Sequence, residues 1–198
     1  MTTAVAAELV PPQRYTSERY FRLVEERVLQ EDDRVELLEG VIVSMAPQSP
    51  RHAGTVWHVH RVITVVVGER AVVRAQLPLV LGTHSVPEPD VAVVAGPATL
   101  YLRRHPTAAL LVVEVAESSL AQDRITKAAI YAAAGVPEFW IVNLRASQIE
   151  VSRAPDREAG RYTTRSVARR GERLEVSAEL PTNLKFGNVR VVTTTASR

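Results

Sequence analysis

The chain contains no cysteine, which excludes disulfide stapling, thiol catalysis and thiolate zinc sites, and suits a reducing compartment. Aromatic residues amount to only 5%, so the fold must stand on a largely aliphatic core. No apolar run reaches the roughly 18 residues needed to span a bilayer; the longest candidates, residues 62–67 and 110–113, are core-sized. No glycine-rich phosphate loop is present, which removes mononucleotide-binding motifs of that kind. Neither sign of charge dominates: 24 basic against 22 acidic residues give a net charge of +2, compatible with a nucleic-acid partner without arguing for one strongly. Residues 1–9 lack both a basic region and a long apolar segment, so no secretory signal is expected and a cytoplasmic location follows by default.

What is present describes an ordinary folded chain. Its 198 residues, 46% hydrophobic and 23% charged, suffice for one well-buried domain, expected over residues 15–192. A flexible leader is expected over residues 1–14, ending in Pro11-Pro12-Gln13, and a flexible tail over residues 193–198. Thr16 and Ser17 supply capping hydroxyls before Tyr20, Phe21, Val24 and Val28, whose spacing predicts a helix to about Leu29. Two short strands are expected within residues 34–45, turning at Glu39-Gly40. Ser49-Pro50 opens a second helix with a stripe of Val56, Val59, Ile63 and Val66 and a stop at Gly68. Strands follow at residues 71–81, 90–95 and 110–116. A helix over residues 119–134 is then expected, started by a capping box at Ser119 and ended by Gly135. Residues 139–143, 147–153, 160–167 and 173–176 read as further strands, the last three antiparallel. The sum is an α/β or α+β fold: a mixed β-sheet flanked by helices, with added antiparallel hairpins.

Two carboxylates stand where buried strands normally carry only hydrocarbon: Asp90 in Glu88-Pro89-Asp90-Val91-Ala92-Val93-Val94 and Glu114 in Leu110-Leu111-Val112-Val113-Glu114-Val115-Ala116. An ionised carboxylate in an apolar strand costs several kcal/mol unless a cation, a metal or strong donors offset the lost water. Alternation sets Asp90 on the face of Ala92 and Val94, and Glu114 on the face of Val112 and Ala116. If the strands are neighbours, the two acids can converge on one divalent cation, which prefers hard oxygen ligands. The alternative leaves both acids at strand ends in contact with solvent. A third charge, Lys127, lies on the alanine-rich helix close in sequence to Glu114; its bland reading is a helical ion pair with Asp123 four residues earlier.

Other signals are weaker. His58 and His60 are two apart on an expected helix and so point to different sides, which makes joint metal binding a poor reading. Arg161, Arg165, Arg169, Arg170 and Arg173, and the pair Arg103-Arg104, offer cations that can track phosphates, or simply a solvated surface. Gln76, on the strand expected before Asp90, is a candidate to help hold water or metal.

In order along the chain stand Glu36-Leu37-Leu38-Glu39-Gly40, Pro89-Asp90-Val91, Val113-Glu114-Val115, Asp123 with Lys127, and Gly135-Val136-Pro137-Glu138-Phe139-Trp140-Ile141-Val142. This ordered set, over roughly residues 15–153, resembles the Uma2 family of restriction endonucleases, a branch of the PD-(D/E)XK nuclease superfamily. The resemblance implies a restriction-endonuclease-like fold and a magnesium- or manganese-dependent endodeoxyribonuclease. Asp90 and Glu114 become the metal-binding acids, Lys127 the catalytic lysine moved from strand to helix, and Glu36 an auxiliary acid; His52 matches a histidine bordering the cleft. The resemblance further implies DNA as partner and pairing of subunits in a homodimer. Two departures are visible: Glu117-Ser118-Ser119 lacks the proline common after that strand, and Asn143 replaces the aspartate that usually ends the next. The alternative function is a non-catalytic DNA-binding or regulatory protein that retains the nuclease fold.

Overall fold

The computed structural model describes residues 14–169, 171–176, 184–186 and 189–193. The leader expected over residues 1–14 and the tail expected over residues 193–198 lie outside the described residues but for Arg14 and Thr193, as does Arg170.

Helix α1, Ser17–Glu25, starts where Thr16 accepts the backbone N–H of Arg19 at 3.1 Å. It stops short of the expected Leu29. Arg27 turns left-handed at φ 59°, and the N–H of Val28 reaches back to the carbonyl of Leu23. This is a Schellman-type stop built on arginine rather than glycine, so the sequence carries no mark of it. Strands β1, Val35–Leu38, and β2, Val41–Ser44, form the expected hairpin. Glu39 and Gly40 both have positive φ, as a type I′ turn requires. A side chain on Gly40 would collide with Arg14, whose Cβ would lie 2.5 Å from the added carbon.

Helix α2, Pro50–Val67, has Ser49 as its N-cap and Gly68 as its C-cap. Val56, Val59 and Ile63 are buried as expected, but Val67 rather than Val66 completes the stripe. Strand β3, Ala71–Arg74, is much shorter than the expected 71–81. Gln76 takes φ 53° and donates its N–H to the carbonyl of Pro89, which ends the extended run. Strands β4, Val91–Ala95, and β5, Leu111–Ala116, are followed by helix α3, residues 120–133, and strand β6, Glu138–Asn143. The capping box expected at Ser119 is absent: its hydroxyl donates to the Asp123 carboxylate, and no side chain caps the helix start. Strands β7, Gln148–Asp156, and β8, Arg161–Arg169, come next.

Six strands form one sheet in the order β3-β4-β5-β6-β7-β8, antiparallel throughout except for the parallel pair β5 and β6. Helix α3 is the crossover that a parallel pair demands. Strand β9, Arg173–Val176, was expected as another antiparallel strand but pairs in parallel with β11, Val189–Thr193, which is antiparallel to β10, Leu184–Phe186. The partner of β9 lies well downstream, so no local turn signal reveals the direction.

The sheet separates two apolar clusters. Val56, Val59, Ile63 and Val67 of α2 pack on Val91, Val93, Leu111, Val113 and Trp140. Ala128, Ile130, Tyr131 and Ala132 of α3 pack on the opposite face, against Ala92, Val94, Val112, Ala116, Phe139 and Ile141, where Leu38 of the hairpin joins them. Alternation is thus realised, with odd positions of β4 and β5 facing α2 and even positions facing α3. No described helix is long and apolar enough to cross a membrane.

Candidate active site

Antiparallel pairing of Val91 with Val113 fixes where the two acids fall. Continuing that register by one residue sets Asp90 opposite Glu114, on the even face toward α3. Directly opposed like charges repel, and both are buried, Asp90 at 8% and Glu114 at 3% exposure. The contacts around them offset this. The N–H of Val115 donates to Asp90 Oδ2 at 2.8 Å, and the N–H of Asp90 faces Glu114 Oε2 at 3.4 Å, so each strand's backbone holds the other's acid. Asp90 is therefore not a residue of β4 but the step before it, where the ladder gives way to a loop and backbone N–H groups point at side chains.

Helix α3 supplies the cation. Residues 123–127 form a π-helical turn, a wider loop of backbone inserted between regular segments, a device frequent at functional sites. Lys127, at its end, is buried and reaches Glu114 Oε1 at 3.1 Å and Glu36 Oε1 at 3.2 Å. The i,i+4 pair with Asp123 is not formed; Asp123 instead accepts from Ser119 at 2.6 Å. Glu36 shares a face of β1 with Leu38, which packs in the α3-side cluster, and its Oε2 accepts the N–H of Glu88 at 3.2 Å. Tyr131, one turn beyond Lys127 and fully buried, donates to Glu114 Oε1 at 2.6 Å.

The first turn of α2 brings His52. Ser49 accepts its backbone N–H at 3.1 Å, and the imidazole Nε2 lies 3.3 Å from Asp90 Oδ2, while the buried Nδ1 has no partner among the described groups. Gln76 also reaches the site although it is not on a strand, its amide donating to Asp90 Oδ1 at 3.3 Å. All six residues singled out in the sequence, Glu36, His52, Gln76, Asp90, Glu114 and Lys127, line one cleft of about 320 Å³. Glu88, Glu117 and Asp123 line it too, so six carboxyl groups face Arg34, Lys127 and His52. Glu88 and Glu117 follow the alternation and loop position of their neighbours and were readable in principle; nothing in the sequence marks Tyr131 except its i,i+4 spacing from Lys127.

The electrostatics follow from burial. Desolvation is the largest influence on Glu114 and pushes its carboxyl up to about 8, with Asp123, Asp90 and Glu36 adding to it and Lys127 opposing. Burial also works against the charge of Lys127, but Glu114, Glu36 and Asp123 outweigh it and hold its pKa above the ordinary lysine value. At neutral pH the ammonium keeps its charge, and burial favours a proton on Glu114. Asp123 is raised, chiefly by burial, and Glu88 likewise. His52 is raised by its hydrogen bond to Asp90.

No three His, Asp or Glu side chains converge at ligand distance among the described residues; the groups that could hold a cation are the opposed carboxylates of Asp90 and Glu114. That set suits magnesium or manganese, which take one or two carboxylates and complete their shell with water and phosphate oxygens. His58 and His60 lie farther along α2, outside the cleft. Arg161 and Arg169 stand at opposite ends of the sheet's edge strand β8, and Arg103 and Arg104 lie in the connection joining the ends of β4 and β5 remote from Asp90. Neither group forms part of the cleft lining. Asn143, where the resemblance led to aspartate, is buried; its amide donates to Glu150 at 2.9 Å and its oxygen accepts the N–H of Ala146 at 3.0 Å, which closes the turn after β6.

The sequence matches the family model Uma2, described as "Putative restriction endonuclease", over residues 17–191. The chain belongs to the Uma2 family. Among solved structures, this Uma2 chain is similar to a "putative nuclease belonging to DUF820" from Anabaena variabilis, at 18% identity and a TM-score of 0.63, over 79% of this chain and 86% of that one. At that identity the likeness shows the fold, a nuclease fold. No curated protein matches. The family description points to a nuclease.

Proposed function

We propose that this Uma2 chain hydrolyses DNA phosphodiester bonds with a divalent cation held by Asp90 and Glu114. The observation that carries the reading is the meeting of Asp90, just before β4, Glu114 of the neighbouring strand β5 and Lys127 of the crossover helix in one acidic cleft. When bound, magnesium or manganese supplies Lewis acidity at a phosphoryl oxygen and lowers the pKa of nearby water. The Lys127 ammonium, fixed between two carboxylates, stabilises negative charge that develops on the phosphate or orients the attacking water. Glu36 holds that ammonium in place. His52 and Gln76 hold the Asp90 carboxylate from two sides, so its orientation costs little to maintain when substrate arrives. One folded unit over residues 15–192, paired with a second copy, belongs to the same proposal.

The test is plasmid nicking with manganese. The wild-type chain converts supercoiled DNA to open circles, and Asp90→Ala abolishes this while circular dichroism stays unchanged. If wild type and variant are equally inert yet both retard DNA in a gel, the chain is a binding protein that has kept the fold.

A further inference from the structure

Three tyrosines are buried in the described part of the molecule, and a buried hydroxyl needs a partner. Tyr20 donates to the carbonyl of Val35 and Tyr162 to the carbonyl of Val136, both at 2.9 Å. These are bonds to backbone, of the kind that closes a fold. Tyr131 differs: its hydroxyl ends on Glu114 Oε1 at 2.6 Å, the same oxygen that Lys127 holds at 3.1 Å. Lys127 and Tyr131 are four apart on α3 and so present one face to that oxygen. The other oxygen, Oε2, is turned to the Asp90 side, where its contact is the N–H of Asp90 at 3.4 Å.

We propose that Tyr131 is a positioning residue that, with Lys127, pins one oxygen of Glu114 and so dedicates the other to the cation shared with Asp90. The ring has no freedom to do otherwise: it is fully buried, with Phe139 tilted against it at 5.1 Å between ring centres. A carboxylate free to rotate presents either oxygen or both; one held by two donors on the same oxygen presents a single acceptor in a fixed direction. Partners of this kind behind a metal-binding carboxylate typically contribute about 10- to 100-fold in metal affinity. The inference rests on the reading of Asp90 and Glu114 as a cation site.

The experiment is calorimetric titration of the whole chain with manganese alone, comparing wild type, Tyr131→Phe and Phe139→Leu. The last loosens the same packing without touching Glu114. We expect one manganese in the wild type, binding weakened about 10-fold or more in Tyr131→Phe, and unchanged affinity in Phe139→Leu. Equal affinity in wild type and Tyr131→Phe overturns the inference alone, as does an equal loss in Phe139→Leu. A wild-type chain that takes up no manganese overturns the cation site and the inference together. Should Tyr131→Phe fail to fold, proton NMR of the wild type decides. The Tyr131 hydroxyl, shielded from water and bonded to a carboxylate, gives a slowly exchanging downfield resonance, and magnesium is expected to shift it; a resonance indifferent to saturating magnesium overturns the inference.

Discussion

A lysine and a glutamate 3.1 Å apart and nearly sealed from water are held by their neighbours more than by each other, because burial of each charge costs much of what their attraction returns. The proton on Glu114 makes this measurable. Its carboxyl, ordinarily near 4.5, is pushed up to about 8 in the fold, so between those values the folded chain holds a proton that the unfolded chain releases. The resulting stabilisation is complete below about 4.5 and lost as pH rises through about 8. His52, raised above 6.5, and Asp123 and Glu88, raised above their ordinary values, act in the same direction. Glu150, lowered mainly by Arg124, contributes fully throughout this range. His105, held below 6.5 by burial and Arg74, opposes the raised groups; with four groups against one, the melting temperature in chelator-containing buffer is expected to fall between pH 5 and pH 8.5 by calorimetry, and a flat or rising profile contradicts a raised Glu114. At this scale the acids were legible, since charge in an apolar strand announces itself. Tyr131 was not, because a tyrosine among alanines on an apolar helix face reads as packing.

Elements aim these residues. Ser49 caps α2 through the N–H of His52, and its hydroxyl also donates to Glu117. Ser49→Ala is expected to lower stability by about 1 kcal/mol, the usual worth of an N-cap, in urea denaturation. It should also loosen His52 from Asp90, seen as a shift of the imidazole resonances; a variant that changes neither quantity would show that the cap does not seat the histidine. Helix starts of this kind were readable from Ser49-Pro50 and Thr16-Ser17, and the hairpin from Glu39-Gly40, since each rests on local chemistry. The unread features are those where a non-glycine residue takes a left-handed turn, as at Arg27 and Gln76, or where backbone is inserted, as in the π turn that ends at Lys127. There tertiary contacts override propensity. The same turn explains why the spacing of Asp123 and Lys127 suggested a pair that the helix does not make.

At the scale of the molecule, the six-stranded sheet has an apolar cluster on each face, and the cleft opens where β5 ends and both α2 and α3 begin. Trp140 is the largest fully buried side chain and lies on the α2 face, with its indole N–H donated to Glu138 at 2.8 Å. Trp140→Ala is expected to cost about 3–5 kcal/mol, read as a lowered midpoint in urea; a loss under about 1 kcal/mol would mean that the sheet does not depend on this layer. The mixed sheet and its flanking helices were foreseeable from the alternation of buried positions, whereas the parallel direction of β9 was not, its partner being remote in sequence. That remoteness applies to the cleft as well. Glu36 is made early, Asp90 and Glu114 in the middle, and Lys127 only after them, and chains emerge from the ribosome N-terminal end first. The pocket therefore draws on segments far apart in the sequence, and a chain ending before Lys127 lacks the ammonium that Glu36 and Glu114 share.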